Sequence, residues 1–242
     1  MEFKKIEAEK LPFTSLLYCP PGVGKSTAIG IIAEQTDGMT LVLDVDRTIT
    51  RTLAKKENVS STDNILIREI DNVNTWEDWE KAMNELQSMK DNGDFEKLNI
   101  KNIAVDNVSE LERCILADLG SKGKNKGVPA MGDYQYMQFK LVSSLRFMKS
   151  LGLNVIWTAW ETVEPYTMPD GTQYSRSYPK ISAKIVDNVC GLCDVVGRIF
   201  VNKDGEHGIR LEASQNAYAK NQIDSRKGCK VETFINFKQE EK

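Results

Sequence analysis

One short stretch near the start of the chain constrains the fold more than any other. Residues 18–27 read Tyr-Cys-Pro-Pro-Gly-Val-Gly-Lys-Ser-Thr; they follow the apolar run Thr14–Tyr18 and precede an amphipathic segment at 28–35. A strand, a glycine-rich turn and the start of a helix, in this order, are the setting of a phosphate-binding loop. The sequence therefore predicts a site for a nucleotide polyphosphate at the start of the first helix.

The residue types in this loop match the chemistry of polyphosphate binding. Gly22 and Gly24 let the backbone N–H groups turn inward, and the positive end of the helix dipole points at the same anion. Lys25 can reach the β- and γ-phosphates, and the Ser26 hydroxyl can coordinate Mg²⁺. We therefore predict ATP and Mg²⁺ as cofactors. The predicted nucleotide-binding residues are Pro21, Gly22, Val23, Gly24, Lys25, Ser26 and Thr27.

One position departs from the motif G-x-x-x-x-G-K-[ST], because Cys19 stands where the pattern has its first glycine. If the backbone at Cys19 has a positive φ, its Cβ costs about 1 kcal/mol or more. If Cys19 instead ends a strand with ordinary dihedral angles, no such cost arises. The motif alone leaves both conformations open.

Length and composition favour a globular α/β protein. The 242 residues can bury the core of one large domain, predicted to span 1–242 with its core at about 12–225 and short polar tails. No apolar run of membrane-spanning length and no N-terminal signal peptide are evident, so we expect a cytoplasmic protein with no membrane partner. The net charge of −3 confines any nucleic-acid contact to a local basic patch.

The cysteines are predicted to be free thiols, because their number is odd and they are scattered along a long chain. Cys190 and Cys193 have the spacing of a zinc or redox pair, but a structural zinc site needs four ligands. The chain has a single histidine, His207, and one other cysteine nearby, Cys229. Packing in a buried helix is therefore favoured over a metal site. The five cysteines are Cys19, Cys114, Cys190, Cys193 and Cys229.

Several later apolar runs end in polar side chains. Residues 40–46 end in Asp44 and Asp46, and residues 101–106 end in Asp106. The carboxyl ends of parallel strands meet at the edge of the sheet where ligands bind, so these acids are expected near the nucleotide. An aspartate at such a strand end holds Mg²⁺ in P-loop NTPases, directly or through water. We therefore predict that Asp106 shares the ion with Ser26.

A further apolar strand, residues 154–161, ends with Thr158 and Glu161. These side chains either face the γ-phosphate or the attacking water, or belong to an ordinary strand end.

Two segments are candidates for contact with single-stranded nucleic acid. Residues 120–129 contain three lysines and no acid, so they form either a solvated loop or a cationic contact for a phosphate backbone. Residues 162–180 predict a hairpin whose aromatic residues flank Arg176, either as cross-strand pairs or as a platform for stacked bases. The predicted DNA-binding residues are Lys122, Lys124, Lys126 and Arg176.

The last regular elements predict an antiparallel hairpin. Residues 194–201 and 208–213 have strand character and flank the turn Asn202-Lys-Asp-Gly205. Such a hairpin commonly closes one edge of a parallel sheet. The predicted fold is therefore α/β, with a mostly parallel central sheet flanked by helices and a C-terminal antiparallel hairpin extension.

The order of these motifs resembles the core of RecA-type ATPases. The resemblance is carried by residues 20–26, 43–46, 103–106 and 155–158. Over about residues 12–225 the chain is similar to phage-encoded RecA-like nucleotide-binding proteins, the short ATPases that work with single-strand annealing recombination systems. The resemblance implies a RecA-like P-loop NTPase core, single-stranded DNA as partner, a possible second partner among single-strand-binding or annealing proteins, and a homo-oligomer or filament.

The resemblance also assigns roles to individual residues. Asp46 takes the place of the glutamate that orients the attacking water, and Asp106 matches the Mg²⁺-associated acid. Residues 122–126, which contain the three lysines, and residues 161–180 take the places of the two DNA-binding loops. Lys220 resembles the basic finger that such assemblies insert at a neighbouring subunit's nucleotide. The predicted catalytic residues are Lys25, Asp46, Asp106 and Glu161.

The resulting hypothesis is a Mg²⁺-dependent ATPase that binds single-stranded DNA and assists phage recombination or annealing in the host cytoplasm. The alternative is a nucleotide-gated adaptor or loader that acts on a protein partner with little hydrolysis. The two hypotheses differ in whether the loops touch DNA, because a DNA-dependent ATPase loses affinity and salt dependence when the loop lysines are neutralised.

Overall fold

A ten-stranded sheet forms the centre of the protein, and the computed structural model describes residues 11–55 and 58–237. The tail predicted before residue 11 and the acidic tail from residue 239 lie outside the described residues. The strands are β1 (Thr14–Cys19), β2 (Met39–Asp44), β3 (Ile65–Glu69), β4 (Ile100–Asp106), β5 (Asn154–Thr167), β6 (Gln173–Pro179), β7 (Val195–Val201), β8 (His207–Arg210), β9 (Lys220–Asn221) and β10 (Gly228–Lys230).

Helices flank this sheet on both faces. They are α1 (Lys25–Glu34), α2 (Ile49–Leu53), α3 (Thr75–Asp91), α4 (Asp94–Lys97), α5 (Val108–Lys122), α6 (Met131–Lys149) and α7 (Val186–Leu192), with a 3-10 turn at Val231–Thr233. None of the helices within residues 11–55 and 58–237 has both the length and the apolar character needed to cross a lipid bilayer.

The strands follow the spatial order β10-β8-β7-β1-β5-β4-β2-β3. Neighbours from β7 to β3 run parallel, whereas β8 and β10 add antiparallel strands at the other edge. This arrangement confirms the predicted α/β fold with a C-terminal antiparallel extension. The central strand β1 lies between β5 and β7, so the carboxyl ends of these strands and of β4 surround the loop that follows β1.

Two apolar cores cover the two faces of the sheet. One packs α3, α5 and α6 against the sheet and contains Trp79 and Trp157; the other packs α1 and contains Ile29, Ile32 and Phe234. Every residue of β1 is buried, as expected for a parallel strand with helices on both faces. Because β1 and α1 are packed in these cores, the loop that joins them is fixed at both of its ends.

The two predicted hairpins are present. Strand β5 extends beyond the sheet and returns as β6, with pairs from Glu161 opposite Pro179 to Thr167 opposite Gln173. Strands β7 and β8 pair around the turn in which the Gly205 N–H donates to the Asn202 carbonyl at 3.1 Å. A run from Ser182 to Leu192 has helical character in the sequence, but the helix begins at Val186. Residues 182–185 form a turn in which the Ile185 N–H donates to the Ser182 carbonyl.

Candidate nucleotide site

The loop between β1 and α1 begins at a strand end, not at a strained turn. Cys19 is the last residue of β1, pairs in register with Trp160 of β5 and is fully buried. Its φ is not in the left-handed region. The Cβ of Cys19 therefore carries no backbone cost, and the departure from the motif leaves the loop intact.

Gly22 and Gly24 supply the positive φ angles of the loop, +81° and +109°. A side chain at either position strains the backbone, which is why glycine is required there. Gly24 is also the N-cap of α1, and no side chain accepts hydrogen bonds at this helix end. The first N–H groups of α1 are thus available to an anion, as in phosphate sites at helix N-termini.

Four predicted residues, Lys25, Ser26, Asp106 and Thr158, lie together directly after this loop. The Ser26 hydroxyl donates a short hydrogen bond to one carboxylate oxygen of Asp106, at the end of β4. The Thr158 hydroxyl of β5 donates to the other Asp106 oxygen at 2.7 Å. Lys25 is buried beside them, with 7% of its surface exposed. The structure therefore brings together the pair predicted to share Mg²⁺.

The donor set of this pair fits Mg²⁺. Hydroxyl and carboxylate oxygens are suitable ligands, and at nucleotide sites Mg²⁺ usually takes one or two protein ligands and completes its shell with phosphates and water. In the described parts of the chain, this site included, no group of three or more His, Cys, Asp or Glu side chains could hold a metal ion by itself. Cys190 and Cys193 are buried free thiols, as predicted for the cysteines.

Two further acids lie at the carboxyl edge of the sheet next to Asp106. Burial, followed by the charges of Asp106 and Glu110, raises the pKa of Asp46 to about 7, with Lys25 opposing the shift. Burial and the Asp106 charge raise the pKa of Asp44 to about 6. Within the described residues, Oδ1 of each of these two aspartates is buried without a hydrogen-bond partner. Buried, unpaired carboxylate oxygens with pKa values near neutrality are suited to a bound cation or to proton exchange with water.

Asn107 is a site residue that the sequence analysis missed. Its side-chain N–H₂ donates to Oδ2 of Asp46 at 2.6 Å, and its Oδ1 caps α5 by accepting from the Glu110 N–H at 3.0 Å. Ser109, which with Glu112 has the spacing of a capping box, does not cap the helix. It donates instead to the Lys180 carbonyl and accepts from the Trp160 N–H. In the sequence, an asparagine directly before an apolar helical pattern is the signal for this helix cap.

Glu161 lies at the same edge of the sheet but already has partners. Its carboxylate forms a bidentate pair with Arg198 of β7, at 2.8 and 3.0 Å, and accepts from the Ser177 hydroxyl at 2.9 Å. Arg198 was not singled out in the sequence. A role of Glu161 at the attacking water stays a prediction.

The predicted DNA-binding residues differ in how they are held. Lys122 lies in α5 and not in a loop, because its ammonium pairs with Asp118 and Glu77, at 2.9 and 3.1 Å, and the helix continues to it. Lys124 and Lys126 follow the helix and are exposed. In residues 11–55 and 58–237 neither of them forms an ion pair.

Arg176 is enclosed by aromatic rings. Its guanidinium lies 4.4 Å from the ring centre of Tyr166, and 5.6 Å from those of Tyr178 and Tyr218. Tyr178 and Tyr218 stack on each other, with ring centres 5.4 Å apart. Tyr218 lies outside the hairpin, so this stack ties β6 to the segment before β9, while Tyr166 lies opposite Tyr174 in the register of the hairpin itself.

Lys220, the predicted finger, lies on β9 against the end of α7. Its ammonium donates to the carbonyls of Cys190, Gly191 and Cys193, at 3.2, 3.1 and 2.7 Å. A cation in this place stabilises the carbonyl end of a helix.

Comparison with known proteins identifies the family of this chain and a structure of similar fold. A family model described as an AAA domain matches residues 12–223. No curated protein sequence matches the chain. A solved structure of an ATP synthase subunit, NeqB from Nanoarcheaum equitans, is similar in fold, at 14% identity and a TM-score of 0.51, covering 80% of this chain and 46% of that chain. Because the family model spans most of the chain, the protein belongs to the AAA domain family.

Proposed function

We propose that this protein binds ATP with Mg²⁺ at the loop after β1 and hydrolyses it. The contact of Ser26 with Asp106, beside an uncapped helix N-terminus, is the observation that carries this proposal. Membership of the AAA domain family supports it. The loop N–H groups and Lys25 would hold the phosphates, and Ser26 and Asp106 would hold Mg²⁺, which would supply positive charge against the phosphate oxygens.

Asp46 is our candidate for the group that orients the attacking water. Asn107 donates to its Oδ2, and its Oδ1 has no partner among the described residues. One oxygen is therefore positioned while the other can accept a hydrogen bond from water. Its raised pKa places proton transfer near neutral pH, where a general base is most effective.

We further propose single-stranded DNA as the second ligand and recombination or annealing as the process, as the resemblance to RecA-like proteins implies. The exposed Lys124 and Lys126, and the β5–β6 hairpin with Arg176, support this proposal. A filament or other homo-oligomer, in which Lys220 acts at a neighbour's nucleotide, belongs to the same proposal. That role requires Lys220 to leave its three carbonyl partners.

A nucleotide-gated adaptor is the second candidate, and one observation favours it. Two of the four cations predicted to contact DNA already have intramolecular partners, Lys122 in ion pairs and Arg176 among tyrosines. An adaptor that binds a protein partner does not need these charges for DNA.

Steady-state ATP hydrolysis with and without single-stranded DNA tests both proposals. Wild type is compared with Lys25→Ala and with Lys101→Ala, a matched control at an exposed position of β4. Hydrolysis that DNA stimulates, that Lys25→Ala abolishes and that Lys101→Ala leaves unchanged supports the DNA-dependent ATPase. ATP binding without DNA stimulation supports the adaptor, and full activity of Lys25→Ala overturns the nucleotide site.

A further inference from the structure

His207, the first residue of β8 and the chain's single histidine, lies directly against the phosphate-binding loop. A Cβ built on Gly24 would be 2.5 Å from Cε1 and 2.8 Å from Nδ1 of its imidazole ring. Gly24 is the loop residue that precedes Lys25 and caps α1. The ring therefore lies against the side of Gly24 where a Cβ would stand, next to the loop expected to bind the phosphates.

The sheet fixes this placement. Alternation along β8 puts His207 on the same face as Ile209, and Ile209 belongs to the core that also contains Ile29 and Ile32 of α1. Pairing of His207 with Val201 of β7 sets its position along the strand. His207 lies at the N-terminal end of α1, because its ring meets Gly24, the residue that precedes this helix.

The Nδ1 atom of His207 is buried, and it has no hydrogen-bond partner within the described residues. Buried polar atoms are nearly always paired, so such an atom calls for a ligand or a water molecule that completes it. Oδ1 of Asp44 and Oδ1 of Asp46 are also buried without a hydrogen-bond partner among the described residues. The unpaired acids suit a cation or water, whereas an imidazole N–H suits an anion.

We propose that His207 is a further residue of the nucleotide site and that its Nδ1–H donates a hydrogen bond to a phosphate oxygen of the bound nucleotide. The inference rests on the proposed ATP site and adds to it a contact from the antiparallel extension. His207 then links the β7–β8 hairpin to the nucleotide, since both the ring and the phosphate contact the same loop.

Proton NMR of the full chain without a histidine tag tests this contact directly. A single histidine gives a single Cε1–H resonance, which is followed during titration with ATP, inorganic triphosphate or adenosine. ATP and triphosphate are expected to shift the resonance, while adenosine leaves it unmoved and Lys25→Ala abolishes the ATP shift. Calorimetry on the same samples measures whether ATP binds.

The outcomes separate this inference from the function on which it rests. ATP that binds by calorimetry without moving the resonance overturns the role of His207 and leaves the ATP site in place. A shift caused by adenosine alone also overturns the phosphate contact, because the ring then senses the nucleoside. Failure of ATP to bind the wild-type chain overturns both proposals together.

Two variants distinguish hydrogen bonding from simple packing. His207→Phe fills the same space without a donor, and His207→Asn keeps a donor. We expect His207→Phe to weaken ATP affinity about tenfold, as for loss of a hydrogen bond to a charged group, and His207→Asn to retain most of it. Equal affinity of His207→Phe and wild type contradicts the proposal, and the NMR titration decides the case if either variant fails to fold.

Discussion

The nucleotide site and the segments proposed for DNA are built in opposite ways. At the nucleotide site, polar groups from α1, β4 and β5 converge, and buried oxygens of Asp44 and Asp46 stay unpaired among the described residues. In the proposed DNA segments, Lys122 is held in ion pairs, and the Arg176 guanidinium lies among tyrosine rings with its Nε buried and without a hydrogen-bond partner in the described residues. The nucleotide site is thus built from acids and hydroxyls that converge on a place for a ligand, whereas the ion-paired Lys122 serves the fold first.

The electrostatic environments of the two regions also differ, because the charged groups differ in their burial. Burial, followed by the charges of Asp106 and Glu110, raises the pKa of Asp46 to about 7, so a bound cation would have a large electrostatic effect there. Lys122 pairs with the exposed Glu77 and with Asp118, whose side chain is buried. A DNA phosphate can replace the exposed Glu77 easily, but it must also compete with the buried Asp118, and mutations can measure the difference.

Asp106→Asn is expected to have the largest effect, because it acts at the centre of the nucleotide site. The amide keeps the shape of the side chain but removes the charge that Ser26 and Thr158 contact. We expect ATP turnover to fall by about 100-fold, the usual size of losing one electrostatic group in an active site. Turnover is measured over a range of Mg²⁺ concentrations.

Asp187→Asn is the matched control, at an exposed position of α7. It is expected to turn over ATP at the wild-type rate. Equal turnover of Asp106→Asn and Asp187→Asn would show that the convergence of polar groups on Asp106 is structural, and the contrast between the two regions would fail.

Glu112 connects the two regions, and its protonation sets the next prediction. It lies in α5, the helix that starts at the nucleotide site, and both carboxylate oxygens accept from the Ser182 N–H at the base of the β5–β6 hairpin, each at 3.0 Å. Burial raises its pKa from 4.5 to about 7, with the Ser182 N–H opposing the shift. The folded protein therefore binds this proton more tightly than the unfolded chain.

The free energy of unfolding is consequently expected to fall as pH rises from about 4.5 to about 7, by about 1–3 kcal/mol for this group. Urea denaturation of wild type and Glu112→Gln at pH 5 and pH 8 isolates the effect, since Asp44 and Asp46 contribute equally to both proteins. The variant should show the weaker pH dependence. Identical pH dependence of the two proteins would contradict the burial of an ionisable Glu112.

The sequence predicted the parts of the fold and the site that depend on local order. The phosphate loop is recognisable because strand, turn and helix follow one another directly, and Asp106 because an apolar run ends on it. These features bring their residues to one edge of a parallel sheet whatever the rest of the chain does.

Contacts between distant segments were not predictable from the sequence. Ser109 and Asn107 both suit a helix cap, and the choice depends on Lys180 and Trp160, which engage Ser109. In the sequence Glu161 has the position of a free acid at a strand end, but in the fold it pairs with Arg198 of β7. Such pairings depend on which strands become neighbours in the sheet, and the order of the strands along the sequence does not determine their order in the sheet.

Lys220→Met tests whether the predicted finger is first a part of the fold. Removal of the ammonium leaves three carbonyls at the end of α7 without their donor, so we expect a loss of about 1–2 kcal/mol in the free energy of unfolding. Lys227→Met, which loses only an exposed pair with Glu212, is the control. Unchanged stability with loss of ATP turnover would instead support the finger.

The smallest effect is expected among the lysines proposed to contact DNA. Each lysine that meets a phosphate of a single strand contributes about 0.7 to the slope of log affinity against log salt concentration. Lys124→Ala should lower this slope by nearly that amount, since Lys124 forms no ion pair with other described residues. Lys122→Ala should lower it less, because Lys122 exchanges Asp118 and Glu77 for the phosphate and releases fewer ions.

Fluorescence anisotropy with a labelled oligonucleotide at several salt concentrations measures both slopes. Equal slopes for the two variants would show that intramolecular pairing does not matter here, and slopes equal to wild type in both would favour the adaptor.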